Sequence, residues 1–310
     1  MKILIGYDGS ESSDGALEDL RRAGLPESAE VLVMTIADVF IPPPISEADD
    51  MFPMQVPAGV RRAHQRAERK LKEAGQLGAR ATDRIRKYFP KWEVHHEAFA
   101  DSPAWAIIRK ADERNPDLIV VGAHGHSILG GRLILGSVSQ RVLYQAKTSV
   151  RIARGRGGSP DAPVRIVIGL DGSPDSNAAV TAVSERNWPQ GTEVRLISVV
   201  DSVMAILPEP FDASGVKWIE TDVEANWDEV RQHFEPMAEK LRAADLRASV
   251  IIRRGNAKDE LVNEAQSWSA DCVFLGAKGM RGIQRLLLGS VSAAVAASAH
   301  CSVEIVRPGR

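Results

Sequence analysis

The chain carries one distinctive stretch twice. Residues 117–139 read D-L-I-V-V-G-A-H-G-H-S-I-L-G-G-R-L-I-L-G-S-V-S, and residues 272–292 read C-V-F-L-G-A-K-G-M-R-G-I-Q-R-L-L-L-G-S-V-S. Each is an apolar run of strand length that ends in G-A-x-G, passes through a basic-aliphatic segment and closes on L-G-S-V-S. A repeat of this kind means two copies of one supersecondary unit, which dictates the architecture before any single element is assigned. Its chemistry is equally constrained. Glycines let backbone N–H groups face one point with no Cβ in the way. The helix that opens at Gly289-Ser290, or at Gly136-Ser137 in the earlier copy, adds donors and a partial positive charge. Strand, glycine turn and helix start together make a seat for a phosphate.

The surrounding sequence repeats as well. A buried strand, Ile3 to Tyr7, leads into Asp8-Gly9-Ser10, and a strand from Val164 to Leu170 leads into Asp171-Gly172-Ser173. After the first comes a helix with Ser12 or Ser13 as the expected N-cap and Ala16, Leu17 and Leu20 on its inner face. A strand Glu30 to Ile36, a proline- and acid-rich loop Phe40 to Val60 and a long amphipathic helix Arg61 to Phe89 follow. Next come a strand Trp92 to Phe99, a helix Ala104 to Arg114, the strand Leu118 to Val121, a helix Ser137 to Gln145 and a strand Val150 to Ala153. The second copy restarts after G-R-G-G-S-P-D-A-P. It repeats the order with a strand Glu193 to Val200, a proline-bearing loop Met204 to Gly215, a helix Val223 to Ala244 and a strand Ser249 to Arg253. Strictly alternating strands and helices predict α/β units with parallel, doubly wound sheets and right-handed crossovers. The expected division is residues 1–154, a linker over 155–163 and residues 164–310.

Bulk properties narrow the function. At 310 residues the chain has room for two cores, and a net charge of −2 gives no electrostatic reason to expect nucleic acid or an anionic membrane as partner. No apolar run approaches the roughly 18 residues of a membrane helix, and Met1 leads straight into a strand, so a cytoplasmic protein is expected. The two cysteines, Cys272 and Cys301, are expected as buried, reduced thiols. His95 and His96 alternate across a strand and make poor joint metal ligands. No metal site and no catalytic constellation is expected. Gly131 to Ser137 lacks the lysine of a P-loop, and the cations of the long helix are interleaved with acids as on a solvated face.

The strand-Asp-Gly-Ser start, combined with G-x2-G-x9-G-S ahead of the last helix and strand, resembles the universal stress protein family in a tandem, two-domain form. The resemblance covers nearly the whole chain. It implies two five-stranded, Rossmann-like sheets of the adenine-nucleotide alpha-hydrolase type, packed as a pseudo-twofold pair through their last strands, Val150 to Ala153 against Val303 to Val306. It implies ATP as ligand, with Mg an open question, and a role in stress response rather than dedicated catalysis. Carried over by position, Asp171, Val199, Leu275 and Gly276 would border adenine and ribose, and Gly279, Gly289, Ser290, Val291 and Ser292 would cradle phosphates. The earlier set is Asp8, Ile36, Val121, Gly122, Gly125, Gly136, Ser137, Val138 and Ser139. There the sequence departs from the pattern, since ten residues rather than nine separate Gly125 from Gly136. Lys278 and Arg281 flank the later loop, whereas His124, His126 and Arg132 flank the earlier one, so nucleotide is expected to prefer the second copy. Two other readings fit the same residues. One is slow Mg-dependent ATP hydrolysis or phosphotransfer with Asp171 helping to hold the metal. The other is an interaction module with vestigial pockets, and further dimerisation of the chain stays open.

Overall fold

The computed structural model describes residues 1–39, 58–124, 135–155, 158–200, 223–279 and 288–308. The first repeat runs β1 (Lys2–Gly6), α1 (Glu11–Asp19), β2 (Glu30–Ala37), α2 (Ala58–Tyr88), β3 (Glu93–Ala100), α3 (Pro103–Arg114), β4 (Leu118–Gly122), α4 (Ser137–Gln145) and β5 (Ser149–Ala153). The second runs β6 (Arg165–Leu170), α5 (Pro174–Ser184), β7 (Glu193–Val200), α6 (Val223–Arg242), β8 (Arg247–Arg254), α7 (Ala257–Ser267), β9 (Cys272–Gly276), α8 (Ser290–Ser298) and β10 (Ser302–Val306). The expected order is observed. Both proline-bearing loops lie outside the described residues, apart from Ala58 to Val60, which open α2.

The central strands β1, β4, β6 and β9 are apolar runs because helices cover both of their faces, the usual state of a parallel strand. Within each repeat the strands are parallel, in the order β3-β2-β1-β4-β5 and its mirror β10-β9-β6-β7-β8. The two five-stranded sheets are not separate. β5 and β10 pair antiparallel, with Val303 opposite Ile152, Glu304 opposite Arg151 and Ile305 opposite Val150, so the molecule has one ten-stranded sheet. On one face, α3, α4, α7 and α8 share a single apolar core that crosses the seam through Val150, Ile152, Val303 and Ile305. On the other face each repeat keeps its own core, α1 and α2 in the first and α5 and α6 in the second. Burying each Val, Ile or Leu of these cores contributes about 1.5–3 kcal/mol.

The seam on that second face is ionic. Arg151 is 1% exposed and donates to Asp19 at 2.6 and 3.2 Å and to Glu304 at 3.2 Å. Glu304 also takes two bonds from Arg186 of the second repeat. Burial opposes the charge of Arg151, yet the Asp19 and Glu304 carboxylates outweigh it and raise its pKa. Twin arginines reinforce the join. Arg154 donates to the carbonyls of Ala296 and Cys301, near the C-terminal end of α8. Its counterpart Arg307 donates to Leu143 and Thr148, near the C-terminal end of α4. Each repeat thus caps the last helix of the other. Cys272 and Cys301 are buried thiols rather than a disulfide, and burial pushes the Cys272 pKa up.

One local expectation is corrected. The N-cap of α1 is neither Ser12 nor Ser13 but Ser10, whose hydroxyl accepts from Ser13 N at 3.2 Å. Gly9 explains the difference. It sits at φ +75°, a left-handed turn conformation that ends β1 early and brings Ser10 to the cap. Gly172, at φ +81°, does the same for Ser173, which caps α5.

Candidate functional site

In each repeat the strand order reverses between the first and fourth strands, β1 beside β4 and β6 beside β9. Open α/β sheets bind ligands in the crevice outside the carboxyl ends of the strands at this point. Both Asp-Gly-Ser turns and both glycine turns are there. Asp8 and Asp171 are exposed, and each accepts a backbone bond at 3.0 Å, from Ser10 and Ser173 respectively. Their turn-forming role is therefore real, whatever else they touch.

The glycine turn is held against the neighbouring helix by contacts that admit only glycine. A Cβ on Gly276 would lie 2.5 Å from the Asp175 carbonyl carbon and 2.7 Å from Ser176 N. One on Gly122 would lie 2.9 Å from the Ser12 carbonyl carbon. The strand end and the first turn of α1 or α5 thus approach backbone to backbone. Side chains lock the approach. Lys278 N donates to Asp175 at 2.9 Å and the Ser173 hydroxyl donates to Lys278 O at 3.2 Å. In the first repeat His124 N donates to the Ser12 hydroxyl at 3.0 Å, while the Ser10 hydroxyl turns instead to Asp8 at 2.6 Å. Ser12, Asp175 and the two capping serines were not among the expected site residues. Their signal was available: small polar side chains one turn beyond an Asp-Gly start, at the same place in both copies.

The far wall is the start of α4 or α8. Gly136 N bonds Ala123 O at 2.8 Å and Gly289 N bonds Ala277 O at 2.7 Å, which folds the loop back onto the glycine turn. Gly136 and Gly289 are the N-cap residues and provide no side-chain cap, unlike Ser10 and Ser173 on α1 and α5. The expected residues divide by role here. Ser137 and Ser290 are exposed at the first helical position, and Val138 and Val291 are half-buried. Ser139 and Ser292 are buried and donate their hydroxyls to Gly122 O at 2.5 Å and Gly276 O at 2.7 Å, so their side chains fasten helix to strand. Val121 and Leu275, each 3% exposed, belong to the shared core. Ile36 and Val199 are half-buried against the same core and leave apolar surface on that face.

The two seats differ in charge. Lys278 is half-buried beside the later glycine turn, and its ammonium pairs with no acid among the described residues. The earlier turn has His124 in that place. Gly279 is described, and a Cβ there would meet Asp171 Oδ2 at 2.5 Å, which brings acid and glycine turn together. Gly125, Arg281, His126 and Arg132 lie outside the described residues. Among the described residues no group of three or more His, Cys, Asp or Glu could hold a metal ion, and no helix is long and apolar enough to cross a membrane.

Comparison with known proteins agrees with the repeat. A family model described as the universal stress protein family matches residues 1–154 and again 164–307. A universal stress protein of Mycolicibacterium smegmatis is 26% identical over 320 residues, covering 99% of this chain and 97% of the relative. One from Methanocaldococcus jannaschii is 29% identical over 157 residues, 49% of this chain and 81% of the relative. Among solved structures, a universal stress protein from Archaeoglobus fulgidus superposes with a TM-score of 0.64 at 20% identity, covering 99% of this chain and 98% of that one.

Proposed function

Because the chain belongs to the universal stress protein family, we propose that it binds an adenine nucleotide, ATP in the first instance, at the carboxyl edge of its second repeat and acts in stress response rather than as a dedicated catalyst. The functional units are residues 1–154 and 164–310, joined by 155–163. The observation that carries the reading is the start of α8. It opens on a glycine with no side-chain cap, faces the Gly276-to-Gly279 turn and has the main chain of Lys278 against it, a Cβ on Gly289 lying 3.8 Å from the Lys278 Cα. First-turn N–H groups left without a side-chain cap, plus one cation, suit a phosphate chain. Val199 supplies half-buried apolar surface for a base, and Asp171, at the tip of β6, is positioned for a ribose hydroxyl. The earlier seat has His124 where the later one has Lys278, so its affinity is expected to be lower.

The test is mass spectrometry of small molecules carried by the purified protein, followed by calorimetry with ATP, with and without Mg²⁺. Gly289→Val adds bulk where a Cβ already meets Ala277 O at 3.3 Å. It is expected to remove most binding, while Gly136→Val leaves most of it. Absence of nucleotide together with no heat at millimolar ATP refutes the proposal, and the reverse ranking of the two variants refutes the preference for the second repeat.

A further inference from the structure

The pseudo-twofold arrangement creates two equivalent grooves, each between the first helix of one repeat and the amino edge of the other repeat's sheet. Corresponding backbone bonds establish the equivalence: Lys2 N donates to Asp117 Oδ2 at 2.7 Å, and Arg165 N donates to Asp271 Oδ2 at 2.8 Å. The groove of α1 is filled by the segment connecting β5 to β6. Gly155 packs on Gly15 so closely that a Cβ would lie 2.7 Å from the Gly15 Cα. Arg22 donates to the carbonyls of Ser159 at 3.1 Å and Pro163 at 3.3 Å and pairs with Asp271 at 3.0 Å. Gly155 and the turn over residues 159–162, in which Ala162 N bonds Ser159 O at 3.2 Å, are thus seated against this groove, held by a cation that the groove wall supplies.

The corresponding groove of α5 is open. It is a cavity of about 1090 Å³ lined by Ala178 of α5 and Glu185 at its C-cap, by Asp117 and Lys147 of the first repeat and by Arg186 and Arg307. Position for position, Ala178 stands for Gly15, Asp117 for Asp271, and Glu185 for Arg22. The wall has therefore exchanged its cation for an acid. The lining cations are Lys147, paired with Asp112 at 2.9 Å, Arg186, paired with Glu304, Arg307, bonded to two carbonyls, and the α-amino group of Met1, and none of them stands at the position of Arg22. Glu185 is exposed and pairs with no cation among the described residues. In the filled groove the wall brings the cation, and in the open one the occupant must.

We propose that this second groove is a docking site for a turn-forming segment of a partner polypeptide, glycine- or proline-bearing like the segment in the filled groove, with an arginine or lysine set between Asp117 and Glu185. It is a binding function separate from the glycine seats, on the opposite edge of the first repeat's sheet from that repeat's own seat. The probes are two fluorescein-labelled peptides of sequence G-G-S-P-x-A-P, patterned on residues 157–163, with x either arginine or glutamate, read by anisotropy against the intact chain. The arginine peptide is expected to bind about tenfold or more tightly than the glutamate one, since opposed charge across a partly desolvated contact discriminates by at least that much. Glu185→Arg restores the cation of the filled groove and is expected to weaken the arginine peptide about tenfold. Asp83→Arg, the same charge change on exposed α2, leaves it unaltered. No binding at millimolar protein, equal affinity for both peptides, or indifference to Glu185→Arg overturns the proposal. So does self-association of the chain that Glu185→Arg abolishes, because the occupant would then be a second copy.

Discussion

Gly276 and Gly279 lie three residues apart in one turn, yet replacing each with alanine should have opposite consequences. Neither has a left-handed φ, so space rather than backbone conformation decides the outcome. At Gly276 the new Cβ meets the Asp175 carbonyl carbon at 2.5 Å and Ser176 N at 2.7 Å, both main-chain atoms in the first turn of α5. That turn is pinned by the Ser173 cap and by the Lys278 N to Asp175 bond, so relief requires the helix to retreat by the better part of an ångström. Overpacking of this kind costs about 1–3 kcal/mol, which lowers Tm by about 3–10 °C in a unit of this size. At Gly279 the atom closer than 3 Å among the described residues is Asp171 Oδ2, at 2.5 Å, the end of a side chain that can swing aside. Gly279→Ala should hold Tm within about 2 °C and instead displace the acid proposed to meet the ribose, lowering nucleotide affinity. Gly122→Ala, opposed by the Ser12 main chain at 2.9 Å, is the internal replicate of Gly276→Ala. Differential scanning calorimetry on the three variants, with ATP titrations on the folded ones, decides the matter. Equal Tm losses at Gly276 and Gly279 would refute the reasoning.

Two other perturbations test the frame around the seats. Arg151→Met leaves the Asp19 and Glu304 carboxylates without their shared buried cation, and urea unfolding is expected to register a loss of about 3–5 kcal/mol. A loss under about 1 kcal/mol would mean the seam does not depend on that charge. Tyr7 offers a pH signature. Burial, then its hydrogen bond to Asp14 and the charge of that carboxylate, pushes its phenol from 10.0 up to about 12. The unfolded phenol ionises near 10 while the folded one keeps its proton to about 12, so its contribution to stability is whole below pH 10 and is lost as pH climbs through 12. The stability difference between wild type and Tyr7→Phe should therefore shrink between pH 10 and pH 12, and a constant difference in urea titrations at pH 8 and 11 would contradict it.

The repeat made the fold legible because each level agreed with the next. Strand-length apolar runs, glycine turns and amphipathic helices recur in the same order, and Ser137–Gln145 and Glu193–Val200 are helix and strand as their patterns required. What misled was local ambiguity. Ser10, Ser12 and Ser13 are all acceptable caps, and only the left-handed turn at Gly9 selects the first. Within the seat, the places of the glycine turn and the helix start were legible, and the directions of the side chains were not. Ser139 and Ser292 are expected at the phosphates through the family resemblance, and their hydroxyls are turned inward to strand carbonyls. The ionic seam was not legible at all. Arg151 in a five-residue strand reads as a residue facing water until the strand opposite it is known to carry Glu304.

That seam also bears on why the two repeats stay together as a pair of unlike halves. Arg151 and Glu304 occupy corresponding positions of β5 and β10, and the antiparallel register sets them directly opposite one another. If two first repeats paired through β5 in this register, arginine would face arginine in a fully buried seam, and two second repeats would set glutamate against glutamate. Either arrangement sets like charges directly opposite one another out of water, offset only by the partner each keeps within its own repeat, Asp19 for Arg151 and Arg186 for Glu304. The clasps formed by Arg154 and Arg307 do not discriminate in this way, since they reach backbone carbonyls that any copy would present. Pairing strength is thus shared by both repeats, while pairing choice resides in one residue of each. The same division runs through the molecule: backbone features are common to both copies, and side chains differ at corresponding positions (Lys278 and His124, Glu185 and Arg22), the positions proposed to set what each copy holds.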